Sequence, residues 1–180
     1  MQLLSKLILW LGRWTIVNRP PELAKYVIVG GPHTSNWDFV YGMAVRNALR
    51  LPVQYLGKDS LFKAPYGWLF RALGGHPVYR TESSNRVEVA AKLFEAREHF
   101  ILALAPEGTR SKVERLRTGF YHIARTAKVP IVMVGIDFAK REFSFSEAFW
   151  PGDDMDEDMA QITRFFAGFR GKNPENGIGV

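Results

Sequence analysis

Five short apolar runs, most of them rich in β-branched residues, alternate with stretches of helical spacing along this chain. The runs are Tyr26–Val29, Val53–Leu56, Pro77–Tyr79, Ile101–Leu104 and Pro130–Phe138, the last being the longest. Apolar residues recur at helical spacing over 36–50, 66–73, 87–99, 120–127 and 156–169. Strands joined through helices pair in parallel, because each crossover brings the next strand in pointing the same way. The pattern therefore predicts an α/β fold with a largely parallel sheet flanked by helices. Such sheets bind ligands beyond the carboxyl ends of their strands. Polar clusters follow three of the runs, at 31–38, 57–59 and 105–112, so they should gather on one edge. No repeat, low-complexity tract or linker interrupts the chain, and residues 1–180 read as a single domain.

Composition narrows the chemistry. Hydrophobic residues make up 47%, enough for a sizeable core and too many for a disordered chain. There is no cysteine, which excludes disulfides and thiolate metal sites, and the four histidines are scattered, so no metal is expected. A net charge of +6 favours anionic partners such as acidic lipid or phosphorylated substrates, although surplus surface lysine gives the same sum. The basic stretches lack the aromatic platforms or groove-reading helix of a nucleic-acid module. Neither a phosphate-binding Gly-x-x-x-x-Gly-Lys loop nor a Gly-x-Ser-x-Gly elbow is present.

Residues 1–16 place Leu3, Leu7, Trp10, Leu11 and Trp14 on one predicted helical face, interrupted by Lys6 and Arg13. The segment is short for a bilayer span, which needs about 20 apolar residues. It lacks a small-residue cleavage site, so a signal peptide is not expected. Two readings stay open: a helix docked on its own domain, or an interfacial helix with its tryptophans at headgroup depth.

The stretch GPHTSNWDF, residues 31–39, carries the densest chemistry. Ser35 through Asp38 has the form of a capping box, with Ser35 as the N-cap and Asp38 as the acid three residues on. His33 then precedes the helix and can fold back over its first turn. Asp38 would accept a hydrogen bond from one imidazole nitrogen and leave the other as a base. A capping box alone accounts for Ser35 and Asp38 without chemistry. Ala105–Ser111 (APEGTRS) follows a strand directly. There Gly108 permits close backbone approach, Thr109 offers a hydroxyl, and Arg110 a two-pronged guanidinium suited to phosphate. Glu107 would orient Arg110 or a substrate hydroxyl. A solvated turn with an ion pair is the plainer alternative. Arg80, after Gly74 and Gly75, and Lys58, after the second run, are further candidate cations. Lys112, Arg115 and Arg117 form a basic run of the kind that is more often a solvated face.

Together these stretches resemble the lysophosphatidic acid / glycerolphosphate acyltransferase family. Its four ordered blocks are matched by His33 with Asp38, by Gly74 with Arg80, by Glu107–Arg110, and by Val129–Pro130 with the apolar residues after them. The chain departs from the family pattern at Pro32, Pro77, Ala105 and Met133, none of which is a polar catalytic group. The resemblance implies acyl transfer from acyl-CoA or acyl carrier protein to a lysophospholipid hydroxyl, most simply that of 1-acyl-sn-glycerol-3-phosphate. His33 would be the general base and Asp38 its orienting partner. Arg80 and Arg110, with Gly108, Thr109 and Glu107, would hold the acceptor phosphate, and Lys58 would face a further anionic group. No cofactor is implied beyond the acyl-donor co-substrate. A membrane-surface location follows, cytoplasmic and peripheral on the inner face, in a compact branch of the family without a transmembrane anchor. A different lysolipid or acylated amino acid as acceptor, a thioester hydrolase, and a noncatalytic lipid-phosphate-binding protein are the alternatives.

Overall fold

The computed structural model describes residues 2–78 and 83–178. Arg80 lies outside them. The chain runs α1 (Gln2–Leu11), β1 (Thr15–Val17), β2 (Lys25–Gly31), α2 (Asn36–Ala48), β3 (Val53–Lys58), α3 (Gly67–Ala72), β4 (Gly75–Val78), α4 (Ser83–Glu95), β5 (Phe100–Leu104), α5 (Gly119–Ala127), β6 (Ile131–Asp137), β7 (Glu142–Phe149) and α6 (Met155–Ala167).

The strands form one sheet in the order β1-β7-β6-β2-β5-β3-β4. The five expected strands, β2 to β6, are mutually parallel. The periodicity reading missed the two strands at the other edge. β7 returns antiparallel to β6, pairing Asp137 with Glu142, and β1 pairs parallel to β7.

Alternate side chains of each strand serve two cores. Val27, Val29, Phe100, Leu102, Ile131 and Met133 pack under α4, α5 and α6. Tyr26, Ile28, Ile101, Val132, Val134 and Ile136 pack under α1 and α2. Because β2, β5 and β6 are covered on both faces, they read as continuous apolar runs rather than alternating ones.

The N-terminal helix corrects one expectation. It ends at Leu11, and Arg13 adopts a left-handed conformation with φ 55°. The turn sends Trp14 inward. It is 7% exposed and packs against Tyr41, Phe138 and Phe143 at ring distances of 4.6, 4.8 and 5.0 Å. Trp14 is thus a core residue, not part of an outward helical face. Ser5 and Leu9 dock α1 against the domain, while Leu3, Leu4, Leu7, Trp10 and Leu11 stay exposed, Trp10 at 73%. At 3.6 residues per turn those five fall within an arc of about 120°. Among the described residues no helix is long and apolar enough to cross a membrane.

Candidate active site

β2 ends at Gly31, and four residues later Ser35 is the N-cap of α2. The expected capping box is formed. The Trp37 N–H donates to Ser35 Oγ at 3.3 Å, and the Ser35 N–H donates to Asp38 Oδ2 at 2.7 Å. The same oxygen accepts from the Thr34 N–H at 2.8 Å and lies 3.1 Å from His33 Nδ1. Asp38 is 2% exposed. A capping acid and an imidazole partner are therefore one carboxylate, and the two readings of this stretch hold together. With its proton on Nδ1, toward Asp38 Oδ2, the neutral imidazole keeps a lone pair on Nε2.

The Ala105–Ser111 loop leaves the end of β5 beside this turn. Gly108 has φ +64°, a conformation that favours glycine, and a Cβ there would sit 2.6 Å from Arg117 Nε, so the Arg117 side chain would have to move. Glu107 is 1% exposed and does not orient Arg110 as expected. Its side chain turns back under β2, where Oε1 accepts from the His33 N–H at 2.8 Å. That donor satisfies Oε1, while Oε2 is buried without a hydrogen-bond partner among the described residues and Arg110 stands in solvent. Burial pushes the Glu107 carboxyl above the usual carboxylate range, opposed by the His33 backbone hydrogen bond.

Two cavities meet at His33. The first, about 310 Å³, is almost wholly apolar and runs between α2 and the sheet, past Phe39, Gly42, Met43, Val45, Leu56 and Phe145. The second is a wider cleft of about 1220 Å³, bordered by Lys58, Gly108, Thr109, Arg110 and Arg117. His33, Leu56, Leu104 and Ala105 line both. The structure thus brings His33, Asp38, Ser35, Lys58 and the Glu107–Arg110 loop to one sheet edge. It adds Arg117, whose Nε donates to the Glu107 carbonyl at 3.3 Å and which the sequence reading left on a solvated face. Its spacing from Gly108 gave no local signal, because the loop folds back to bring them together. Gly42, in the middle of α2, was also passed over. A Cβ there meets nothing within 4 Å, so the glycine leaves room in the cavity.

His33, paired with the buried Asp38, thus sits where an apolar cavity meets a cleft bordered by Lys58, Arg110 and Arg117. Residues 16–137 match the family model named Acyltransferase, and the chain belongs to that family. It is an acyltransferase. Its fold is similar to the crystal structure of the 1-acyl-sn-glycerophosphate (LPA) acyltransferase PlsC from Thermotoga maritima, with a TM-score of 0.66 and 18% identity. That similarity covers 92% of this chain and 74% of the other. No curated protein shows significant sequence similarity to this chain.

Proposed function

We propose that the protein transfers an acyl chain from acyl-CoA or acyl carrier protein to the free hydroxyl of a lysophospholipid, most simply 1-acyl-sn-glycerol-3-phosphate. The observation that carries this reading is the position of His33, which borders the apolar cavity and the cationic cleft at once. The cavity takes the hydrocarbon of the donor. The cleft takes anionic groups, with Arg110, Lys58 and Arg117 as the cations that line it. The resemblance gives Arg80 a place in the same clamp.

In this mechanism the acceptor hydroxyl gives its proton to His33 Nε2 as its oxygen attacks the thioester carbonyl. Asp38 Oδ2, already within hydrogen-bonding distance of Nδ1, stabilises the imidazolium that forms. The tetrahedral intermediate collapses with cleavage of the C–S bond, and the thiolate takes the proton back from the imidazolium. No acyl-enzyme forms.

Acceptor and product are membrane lipids, and the exposed face of α1 suits a lipid surface. Replacing Trp10 by Ser should weaken sedimentation with anionic vesicles without lowering the melting temperature, because this side chain is not in the core. Unchanged sedimentation would assign the face another role. The acceptor is tested by incubating purified protein with labelled acyl-CoA and a panel of lysolipids. The expected product is acylated lysophosphatidate. Release of CoA and free fatty acid with every acceptor would identify a hydrolase instead.

A further inference from the structure

The segment after α6 lies outside the residues matched by the family model, yet it reaches the catalytic turn. Asn173 touches Thr34 twice. Its backbone N–H donates to Thr34 Oγ1 at 3.2 Å, and its side-chain Nδ2 donates to the Thr34 carbonyl at 2.9 Å. Thr34 is 2% exposed. Neighbouring residues fix the strap in place. The Phe138 N–H donates to the Arg170 carbonyl at 2.8 Å, and Lys172 Nζ lies 4.7 Å from the centre of the Trp37 ring. Gly171 sits so close that a Cβ would fall 2.6 Å from Thr34 Oγ1.

The Thr34 carbonyl and the Ser35 N–H belong to one planar peptide group. Asn173 holds the oxygen of that group, and Asp38 Oδ2 accepts from its N–H at 2.7 Å. Asp38 Oδ2 in turn faces His33 Nδ1. The result is a continuous chain from the Asn173 amide through the 34–35 peptide to Asp38 and on to His33. Each bond in such a chain polarises the next, and a planar group held at both ends cannot rotate.

We infer that Asn173 is a positioning residue for the His33–Asp38 pair, acting through the 34–35 peptide. It touches no substrate. Its amide orients the N–H that fixes Asp38 Oδ2, and so the imidazole that must present Nε2. The inference rests on the reading of His33 as the general base.

Asn173→Ala and the nearly isosteric Asn173→Asp separate this role from packing. Aspartate fills the same space but turns an acceptor toward the Thr34 carbonyl. The expected result is a fall in kcat of about 10-fold for Asn173→Ala with KM unchanged, since the loss is one of alignment. Asn173→Asp should be at least as impaired. The imidazole Nδ1 proton of His33, followed by NMR, should shift and exchange faster in both variants. Gly171→Ala, which pushes the strap off Thr34 while keeping Asn173, should give the same spectroscopic change. An unchanged His33 Nδ1 signal in Asn173→Ala or Gly171→Ala, or an Asn173→Asp enzyme more active than Asn173→Ala, would overturn the inference. If the wild-type protein transferred no acyl group, the transferase reading would fail, and the NMR comparison would still decide whether Asn173 positions His33.

Discussion

The two loops that carry the motifs are built in opposite ways. Between β2 and α2, the carboxylate oxygen that faces His33 is held by two backbone N–H groups, and both Thr34 and Asp38 are buried. After β5, Gly108, Thr109 and Arg110 stand exposed, and no acid pairs with Arg110 among the described residues. Under the proposed mechanism the difference follows from what each loop must do. A general base has to be aligned before the substrate arrives, because small displacements cost large factors in rate. A cation that receives an anionic ligand is better left without a competing carboxylate, since it exchanges water for the ligand's oxygens. Glu107 links the two designs: it belongs to the exposed loop by sequence and to the buried one by its hydrogen bond.

The largest expected effect comes from breaking the ordered loop. Asp38→Asn keeps an oxygen for the helix cap but cannot stabilise the imidazolium. Transfer should fall by about 10²-fold or more, the usual scale of general acid–base catalysis. Thermal melting should register at most the loss of a capping acid, about 1 kcal/mol. Near wild-type turnover in folded Asp38→Asn protein would mean that the loop is ordered for capping alone.

A smaller effect is expected in the open loop. Arg110→Lys keeps the charge but loses the bidentate fork, so KM for a phosphate-bearing acceptor should rise about 10-fold while kcat changes little. The defect should shrink with an acceptor lacking the phosphate. An equal defect with both acceptors would show that Arg110 supports the loop rather than the ligand.

The smallest effect sharpens the role of the link. Burial raises the Glu107 carboxyl above the usual range, so the folded state binds its proton more tightly than the unfolded state does. The stability gained from that proton is complete below the ordinary carboxylate pKa and is lost as pH rises through the raised one. Glu107→Gln removes this loss and keeps an acceptor for the His33 N–H. Its melting temperature should therefore gain on wild type as pH climbs through that window. A constant difference across that range would show that the buried carboxyl is not the titrating group.

How much of this was legible in the sequence depended on whether the determinant was local. The parallel strands showed because β2, β5 and β6 are buried on both faces, and the capping box showed because its partners lie three residues apart. β7 carries a local signal: Phe143 and Phe145 point into one core and alternate with Ser144 and Ser146, a period of two. β1 has three residues and exists through its pairing with β7, which no local pattern encodes. Trp14 kept the helical spacing of its neighbours, but the backbone turns before it. Glu107 and Asn173 are joined to the His33–Thr34 turn across 74 and 139 residues, and only the fold brings them there.

In the proposed mechanism His33 takes the proton of the acceptor hydroxyl at the junction of the two cavities. The most direct test measures acyl transfer from labelled acyl-CoA to 1-acyl-sn-glycerol-3-phosphate by wild-type and His33→Ala proteins of matched melting temperature, with lysolipid binding measured in parallel. The expected result is product from the wild type, a loss of at least ~10²-fold in His33→Ala, and retained binding. A folded His33→Ala protein that transfers acyl groups at the wild-type rate would contradict it.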